Sequence, residues 1–392
     1  MYDFDKVIER KGTNSIKYDR EKAQDPRIIP MWVADMDFRL PDEILDEFHK
    51  RIDHGIFGYT DPLDEYFDAM NHWFSTRYGY KIKPEWVTLG AGIVYALGTS
   101  VKAFTEEGDA MMVMQPVYYP FSEVIKNDGR KLVNCQLRYE NNRYSIDFEK
   151  MEQMIKEENV KALIFCNPHN PVGRVWTREE MEKVAEICLK YNVIWMVDEM
   201  HCDFIFPGHK FTSCMNLDKK FHEIIALYSS PGKTFNVAGL QPANIIIPNE
   251  ELRKKYQWAN TQAAYSQGSL MGQLAVKVCY TKGADWVDEL VEYIYENVKY
   301  MSRYVKENFP KAKMVEPEGT YLVWVDFSGY GFSNEELEHL MLEEAKLWLD
   351  SGIIFGPETA QFERFNVACP RVTVEQALTQ LKNALDKHLA EK

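Results

Sequence analysis

The chain has 392 residues, 45% hydrophobic and 27% charged, the balance of an ordinary globular protein with room for two domains. A net charge of −14 with no offsetting basic block argues against nucleic acid and anionic lipid as partners, and no apolar run approaches transmembrane length. Seven scattered cysteines without a Cys-x-x-Cys pair argue against a disulfide framework or structural zinc; with a polar, acidic start unlike a signal peptide, they point to the cytoplasm, and no metal site is expected.

Residues 1–30 are polar and read as an irregular arm. Ile29–Phe38 is apolar but broken by Pro30 and by Asp35 and Asp37, so it cannot be a central strand and is expected to be a loop that something packs against. A helix follows from Pro41 to about His54, then a glycine-flanked loop, Gly55–Thr60, that exposes Phe57 and Tyr59. Leu63, Phe67, Met70 and Phe74 have helical spacing, which predicts a helix from Leu63 to Tyr78.

From Trp86 the texture changes. Short apolar runs at Trp86–Leu89, Ala110–Met114, Ala162–Cys166, Val193–Val197, Ile224–Tyr228 and Asn244–Ile247 alternate with helical stretches such as Ile93–Thr105, Phe148–Glu157 and Arg178–Tyr191. This alternation predicts an α/β fold, a mostly parallel doubly wound sheet with helices on its faces. A long helix from Asp285 to about Phe309 opens a different stretch. There, a strand at Thr320–Phe327, a helix at Asn334–Leu349, a loop at Gly352–Gln361, a strand near Arg364–Ala368 and a last helix predict a smaller α+β domain. The expected division is 1–50 as an N-terminal segment packing with the small domain, 51–284 as the large domain, and 285–392 as the small one.

In such a sheet ligands lie at the carboxyl ends of the strands. The first strand ends in Gly90-Ala91-Gly92 at a helix start, where free N–H groups and the helix dipole suit a phosphate. The others end in Tyr118-Tyr119, in Asn167-Pro168-His169-Asn170-Pro171-Val172-Gly173, in Asp198-Glu199-Met200-His201, and in Ser230-Pro231-Gly232-Lys233. Separately, each is ordinary turn, cap or packing chemistry. Together they place a phosphate cradle, an aromatic, an amide, an acid and an amine at one sheet edge. A phosphorylated pyridine aldehyde uses each part: the lysine takes the aldehyde and the carboxylate holds the ring nitrogen protonated.

Asn167-Pro-x-Asn-Pro-x-Gly173, Asp198-Glu-x-His201 and Ser230-x-x-Lys233-Thr-Phe-Asn resemble the fold-type I, pyridoxal-phosphate-dependent class I/II aminotransferases. Pro30-Met-Trp-Val-Ala-Asp-Met-Asp-Phe38, Gly58-Tyr59 and Phe362-Glu-Arg-Phe-Asn-Val-Ala-Cys-Pro-Arg371 are similar to the cystathionine β-lyase branch known as MalY/PatB. The resemblance runs from about Ile29 to the end. It implies pyridoxal 5′-phosphate bound covalently to Lys233, with Asp198 on the ring nitrogen, Tyr118 stacked on the ring, and Asn170 and His201 at the ring hydroxyl. It further implies Gly92, Ile93 and Ser230 at the phosphate, and Tyr59 reaching the phosphate of a neighbouring subunit in a homodimer with shared sites. Arg364, with Asn170 and Tyr59 nearby, is implied to bind an amino-acid substrate, since a planar guanidinium suits an α-carboxylate.

Two departures separate the chain from simple aminotransferases, which carry tyrosine where His201 stands and arginine where Gln241 stands, eight residues after the lysine. Both agree with the lyase branch, so the expected reaction is β-elimination from a cysteine thioether to thiol, pyruvate and ammonia. An aminotransferase is the alternative. A non-catalytic binding protein on this fold is less favoured, as is a dinucleotide-dependent oxidoreductase built on Gly90-Ala91-Gly92. The latter expects a third glycine where Tyr95 stands.

Overall fold

Ala162–Cys166 is apolar throughout, and Ile225–Tyr228 is likewise without a polar face. Strands of this kind must be covered on both sides. In the computed structural model, which describes residues 2–391, they are inner strands of a seven-stranded sheet. The strand order is Val87–Ala91, Pro242–Ile246, Ile225–Ser229, Ile194–Asp198, Ala162–Cys166, Ala110–Val113 and Lys131–Asn134. All pairs are parallel except those of Pro242–Ile246, which runs antiparallel to both its neighbours. Side chains alternate between two cores. Met111, Val113, Ala162, Ile164 and Met196 face one with Ala96, Leu97 and Val101 of the helix Ile93–Phe104, while Met112, Leu163, Phe165, Trp195 and Val197 face the other. The expected doubly wound α/β architecture is thus present.

A second, antiparallel sheet has the order Lys313–Met314, Leu322–Asp326, Phe362–Asn366, Asp350–Ser351. The long helix Ala284–Asn308 precedes it and the helix Arg371–Ala390 follows it. The helix expected over 334–349 is shorter. Helical backbone ends at Glu344, Lys346 turns left-handed with φ 56°, and Leu347–Trp348 becomes a strand paired in parallel with Ile29–Pro30. Ile29 N donates to Lys346 O and Met31 N to Trp348 O, so pairing with a remote segment outweighs the local helical pattern. The N-terminal segment also places its helix Asp42–His54 against the helix Leu270–Lys282. The helices Pro120–Asn127, Glu250–Gln262 and Leu270–Lys282 were not anticipated from periodicity. Among the described residues no helix is long and apolar enough to cross a membrane.

The lysine turn is anchored by packing. Phe235, two residues after Lys233, is fully buried between Trp73 and Trp286, with centroids 5.5 and 5.8 Å away. Gly283 passes directly against the Phe235 ring, and a Cβ there would overlap it. Because Gly283 has φ −94°, alanine would be tolerated by the backbone and excluded only by packing. Gly283→Ala is therefore expected to cost about 1–3 kcal/mol of stability. Urea unfolding followed by tryptophan fluorescence measures this, and an unchanged midpoint would show that the ring yields without cost.

Candidate active site

The carboxyl ends of the sheet strands open into a cavity of about 210 Å³ whose walls include Gly92, Ile93, Tyr118, Asn170, Asp198, His201, Ser230, Lys233 and Arg364. Every sequence-predicted site residue except Tyr59 meets there. Tyr59 is 97% exposed and lines a neighbouring surface cleft, which shares Gln241 with the cavity.

Asp198 ends its strand and is buried; Met200 N donates to its Oδ1 at 3.0 Å. Burial pushes its carboxyl up to about 7, with Lys233 pulling the other way. Lys233 is also desolvated, and with the Arg364 charge nearby its amine is pushed down to about 8. Its Nζ donates to Ala34 O at 2.7 Å. Burial holds His201 well below the ordinary histidine range, so the ring is neutral, and its Nδ1 has no hydrogen-bond partner among the described residues.

Arg364 leaves the Phe362–Asn366 strand and is 2% exposed. Its Nη1 donates to Asn170 Oδ1 at 3.0 Å, and its Nη2 donates to Trp32 O at 2.7 Å and to Asp350 Oδ2. Its Nε–H is buried without a partner among the described residues. Gly92 has φ 86° and caps the helix Ile93–Phe104, turning that helix's free N–H groups toward the cavity. Ser230 Oγ accepts from Gly232 N at 2.9 Å and donates to Pro242 O at 2.6 Å. Tyr118 forms one wall, its ring 5.6 Å from Phe121 and its N–H bonded to Asn170 O.

These groups fit pyridoxal phosphate. A carboxylate buried without a cation of its own suits a protonated ring nitrogen, the unpartnered His201 Nδ1 and the Asn170 amide suit a ring hydroxyl, and the helix start suits the phosphate. The partly desolvated amine of Lys233 suits an aldehyde. The remaining polar motif residues are structural. Asn167 bonds Thr212 O and Trp176 N, His169 Nε2 bonds Pro116 O, and Glu199 accepts from Ser213 Oγ and Cys214 N.

Sequence reasoning missed how the 31–38 loop is held. Five successive carbonyls accept side-chain hydrogen bonds: Trp32 from Arg364, Val33 from Asn366, Ala34 from Lys233 and Tyr321, Asp35 from Asn366 and Lys17, and Met36 from Asn236 and Arg10. Lys17, only 1% exposed, and Arg10 pair with Asp35 and Asp37, so the irregular arm is a fixed part of the site. Asp350, which pairs with Arg364, was also missed.

In the apoprotein, Lys233 is expected to be cationic below about pH 8 and neutral above it, against an ordinary lysine value of 10.5. Reductive ¹³C-methylation and an NMR titration, assigned with Lys233→Arg, read this directly. Arg364→Met removes a charge that lowers the value, so the midpoint should rise in that variant. A Lys233 midpoint above 10 in the unaltered chain would overturn the assignment.

The family model for aminotransferases of class I and II matches residues 27–381. The cystathionine β-lyase PatB of Bacillus subtilis is 40% identical over 97% of this chain and 99% of its own length. A pyridoxal-phosphate-bound putative aminotransferase from Clostridium difficile 630 is 38% identical, covering 98% of this chain and 100% of that one with a TM-score of 0.95. A pyridoxal-phosphate-bound C–S lyase from Staphylococcus hominis is 31% identical, covering 98% of each chain with a TM-score of 0.91. With that coverage along nearly its whole length, the chain belongs to the class I and II aminotransferase family.

Proposed function

We propose that this protein is a pyridoxal-phosphate-dependent carbon–sulfur lyase that eliminates the thiol of L-cystathionine or a related cysteine thioether. The observation that carries this is the meeting of Lys233, Asp198 and Arg364 in one cavity. The similarity to PatB and to the Staphylococcus hominis C–S lyase favours elimination over transamination, as do His201 and Gln241.

When bound, the cofactor supplies an electron sink that stabilises negative charge on the substrate α-carbon. The chain's residues do the rest. Arg364 presents its free Nε–H and the edge of its fork to the α-carboxylate, and Asn170 fixes the fork's angle. Lys233 Nζ, whose burial favours the neutral amine, takes the proton from the α-carbon. Of the residues lining the cavity, Asp198 would keep a proton on the ring nitrogen, Tyr118 would cover the ring, Asn170 and His201 would bond the ring hydroxyl, and Gly92, Ile93 and Ser230 would hold the phosphate. The C–S bond then breaks with its electron pair on sulfur, and a thiolate leaves readily without a strong acid beside it. For cystathionine the balance is one substrate plus one water giving homocysteine, pyruvate and ammonia.

We further propose a homodimer in which Tyr59, on its exposed loop, reaches the partner's phosphate site. All seven cysteines are buried and unpaired, which supports a reducing cytoplasm.

Purified holoenzyme given L-cystathionine should release pyruvate and thiol in equal amounts with no keto acid added. A sustained requirement for a keto-acid acceptor, with no thiol released, would make the protein an aminotransferase. The shared site has its own test. Mixing inactive Tyr59→Ala with inactive Lys233→Ala subunits should restore activity, because one site of each mixed dimer is intact. No recovery after demonstrated subunit exchange would rule sharing out.

A further inference from the structure

Lys233 is accounted for by its amine and Phe235 by its packing, but the residue between them has no role so far. Thr234 is 1% exposed, and its Oγ1–H donates to Asp203 Oδ2 at 2.7 Å. Asp203 follows the strand Ile194–Asp198, in a turn that Phe204 N closes onto His201 O, and its side chain is buried. Its other oxygen accepts from Arg77 Nε at 3.0 Å and from Tyr78 Oη at 2.6 Å. These donors are themselves held. Trp73 Nε1 and the Cys202 thiol donate to Tyr78 Oη at 3.2 and 3.1 Å. The Arg77 guanidinium lies 4.6 Å from the centre of the Trp73 ring, and its Nη2 donates to Asp288 of the long helix.

The lysine turn is thus tied at three points. Ser230 Oγ holds Gly232 N before the lysine, Phe235 is packed between Trp73 and Trp286 after it, and Thr234 is bonded beside it. Only the last tie reaches the loop that carries His201 and follows Asp198. A buried hydroxyl donating to a carboxylate is a strong, directional bond. A lysine side chain is long and flexible, so the placing of its amine depends on the backbone it leaves. A displacement of about 1 Å at a reacting group costs about a hundredfold in rate.

We infer that Asp203 and Thr234 are positioning residues for Lys233: their bond fixes the lysine turn against the loop of Asp198 and His201, so that the amine is delivered to the substrate α-carbon. Neither residue lines the cavity, so both act through Lys233. For the reaction this rests on the lyase activity proposed above.

Thr234→Val removes the hydroxyl at nearly constant shape, and Thr234→Ser keeps it. Tyr78→Phe removes a different donor from Asp203 without touching the turn. Urea midpoints should fall in both Thr234→Val and Tyr78→Phe, since each strips a bond from a buried carboxylate. Only Thr234→Val should disturb the lysine. In the apoprotein, the ¹³C-methyl NMR titration of Lys233 should move up from about 8 by about one unit in that variant, because a displaced amine is less desolvated. It should stay in place in Thr234→Ser and Tyr78→Phe. In the holoenzyme given L-cystathionine, Thr234→Val should lower kcat about tenfold with KM changed less than about twofold, and Thr234→Ser should restore the rate. Where the valine chain does not fold, Thr234→Ala removes the same hydroxyl and is read in the same way. A Lys233 midpoint and kcat unchanged in the hydroxyl-free variant, or moved equally by Tyr78→Phe, would overturn the positioning role while leaving the lyase activity standing. No pyruvate from the unaltered enzyme would overturn the lyase activity, and the apoprotein titration would then decide the positioning role by itself.

Discussion

The loop from Trp32 to Met36 is hydrogen-bonded at every carbonyl, and every donor is a side chain from elsewhere in the chain. Past the short strand Ile29–Pro30 this stretch belongs to no sheet, yet its carbonyls still need donors. Arg364 and Asn366 reach the loop from the small sheet, Lys233 and Asn236 from the turn after Ile225–Ser229, and Lys17 and Arg10 from the N-terminal arm. One irregular segment thus fixes the large sheet, the small sheet and the arm relative to one another. The amine of Lys233 and the guanidinium of Arg364 grip carbonyls two residues apart on the same loop, which constrains the distance between them.

The electrostatics follow from burial rather than from pairing. Asp198 and Lys233 share the cavity, and desolvation drives both toward their neutral forms. A pair that neutralised itself by direct contact would be inert toward a ligand. Here each retains chemistry to offer, the carboxylate to a protonated nitrogen and the amine to a carbonyl carbon. Arg364 is treated differently. It is more deeply buried, and Asp350, Asn170 and the Trp32 carbonyl hold most of its fork in place, leaving Nε–H free. An anchor for a carboxylate benefits from fixed orientation, and a proton carrier benefits from a mobile pKa.

The strand ends were legible because a parallel sheet forces apolar runs, and the residue that interrupts each run lies at the ligand edge. Asp198, Asn170, Ser230 and Lys233 were all found in that way, and Arg364 came from the resemblance. Asp350 and Lys17 carried no such mark, and Asn236, though it closes the lysine motif, gave no sign that it reaches the 31–38 loop. Their partners are 14, 20 and 200 residues away in the chain, and nothing local distinguishes Asp350 and Lys17 from surface polar residues. The helix expected to run through Leu349 failed for a related reason, since the strand Leu347–Trp348 exists only because Ile29–Pro30 lies beside it. The helix Glu250–Gln262 did carry a signal, Asn249 followed by two glutamates, and Asn249 indeed caps it by accepting from Glu251 N and Leu252 N.

Net charge describes the surface and not the site. A chain at −14 repels anions at long range. Around the cavity, however, Arg10, Lys17, Lys233 and Arg364 stand among Asp35, Asp37, Asp198 and Asp350, and the formal charges of these eight cancel. Arg10 and Lys17 pair with Asp35 and Asp37, and Arg364 with Asp350, while Lys233 and Asp198 form no direct ion pair among the described residues. A cavity that is neutral overall but strongly polarised in detail discriminates poorly by net charge and well by the spacing of opposite charges. A free amino acid, neutral overall with its charges a few bonds apart, is the kind of molecule such a field orients without having to be drawn in against the surface potential.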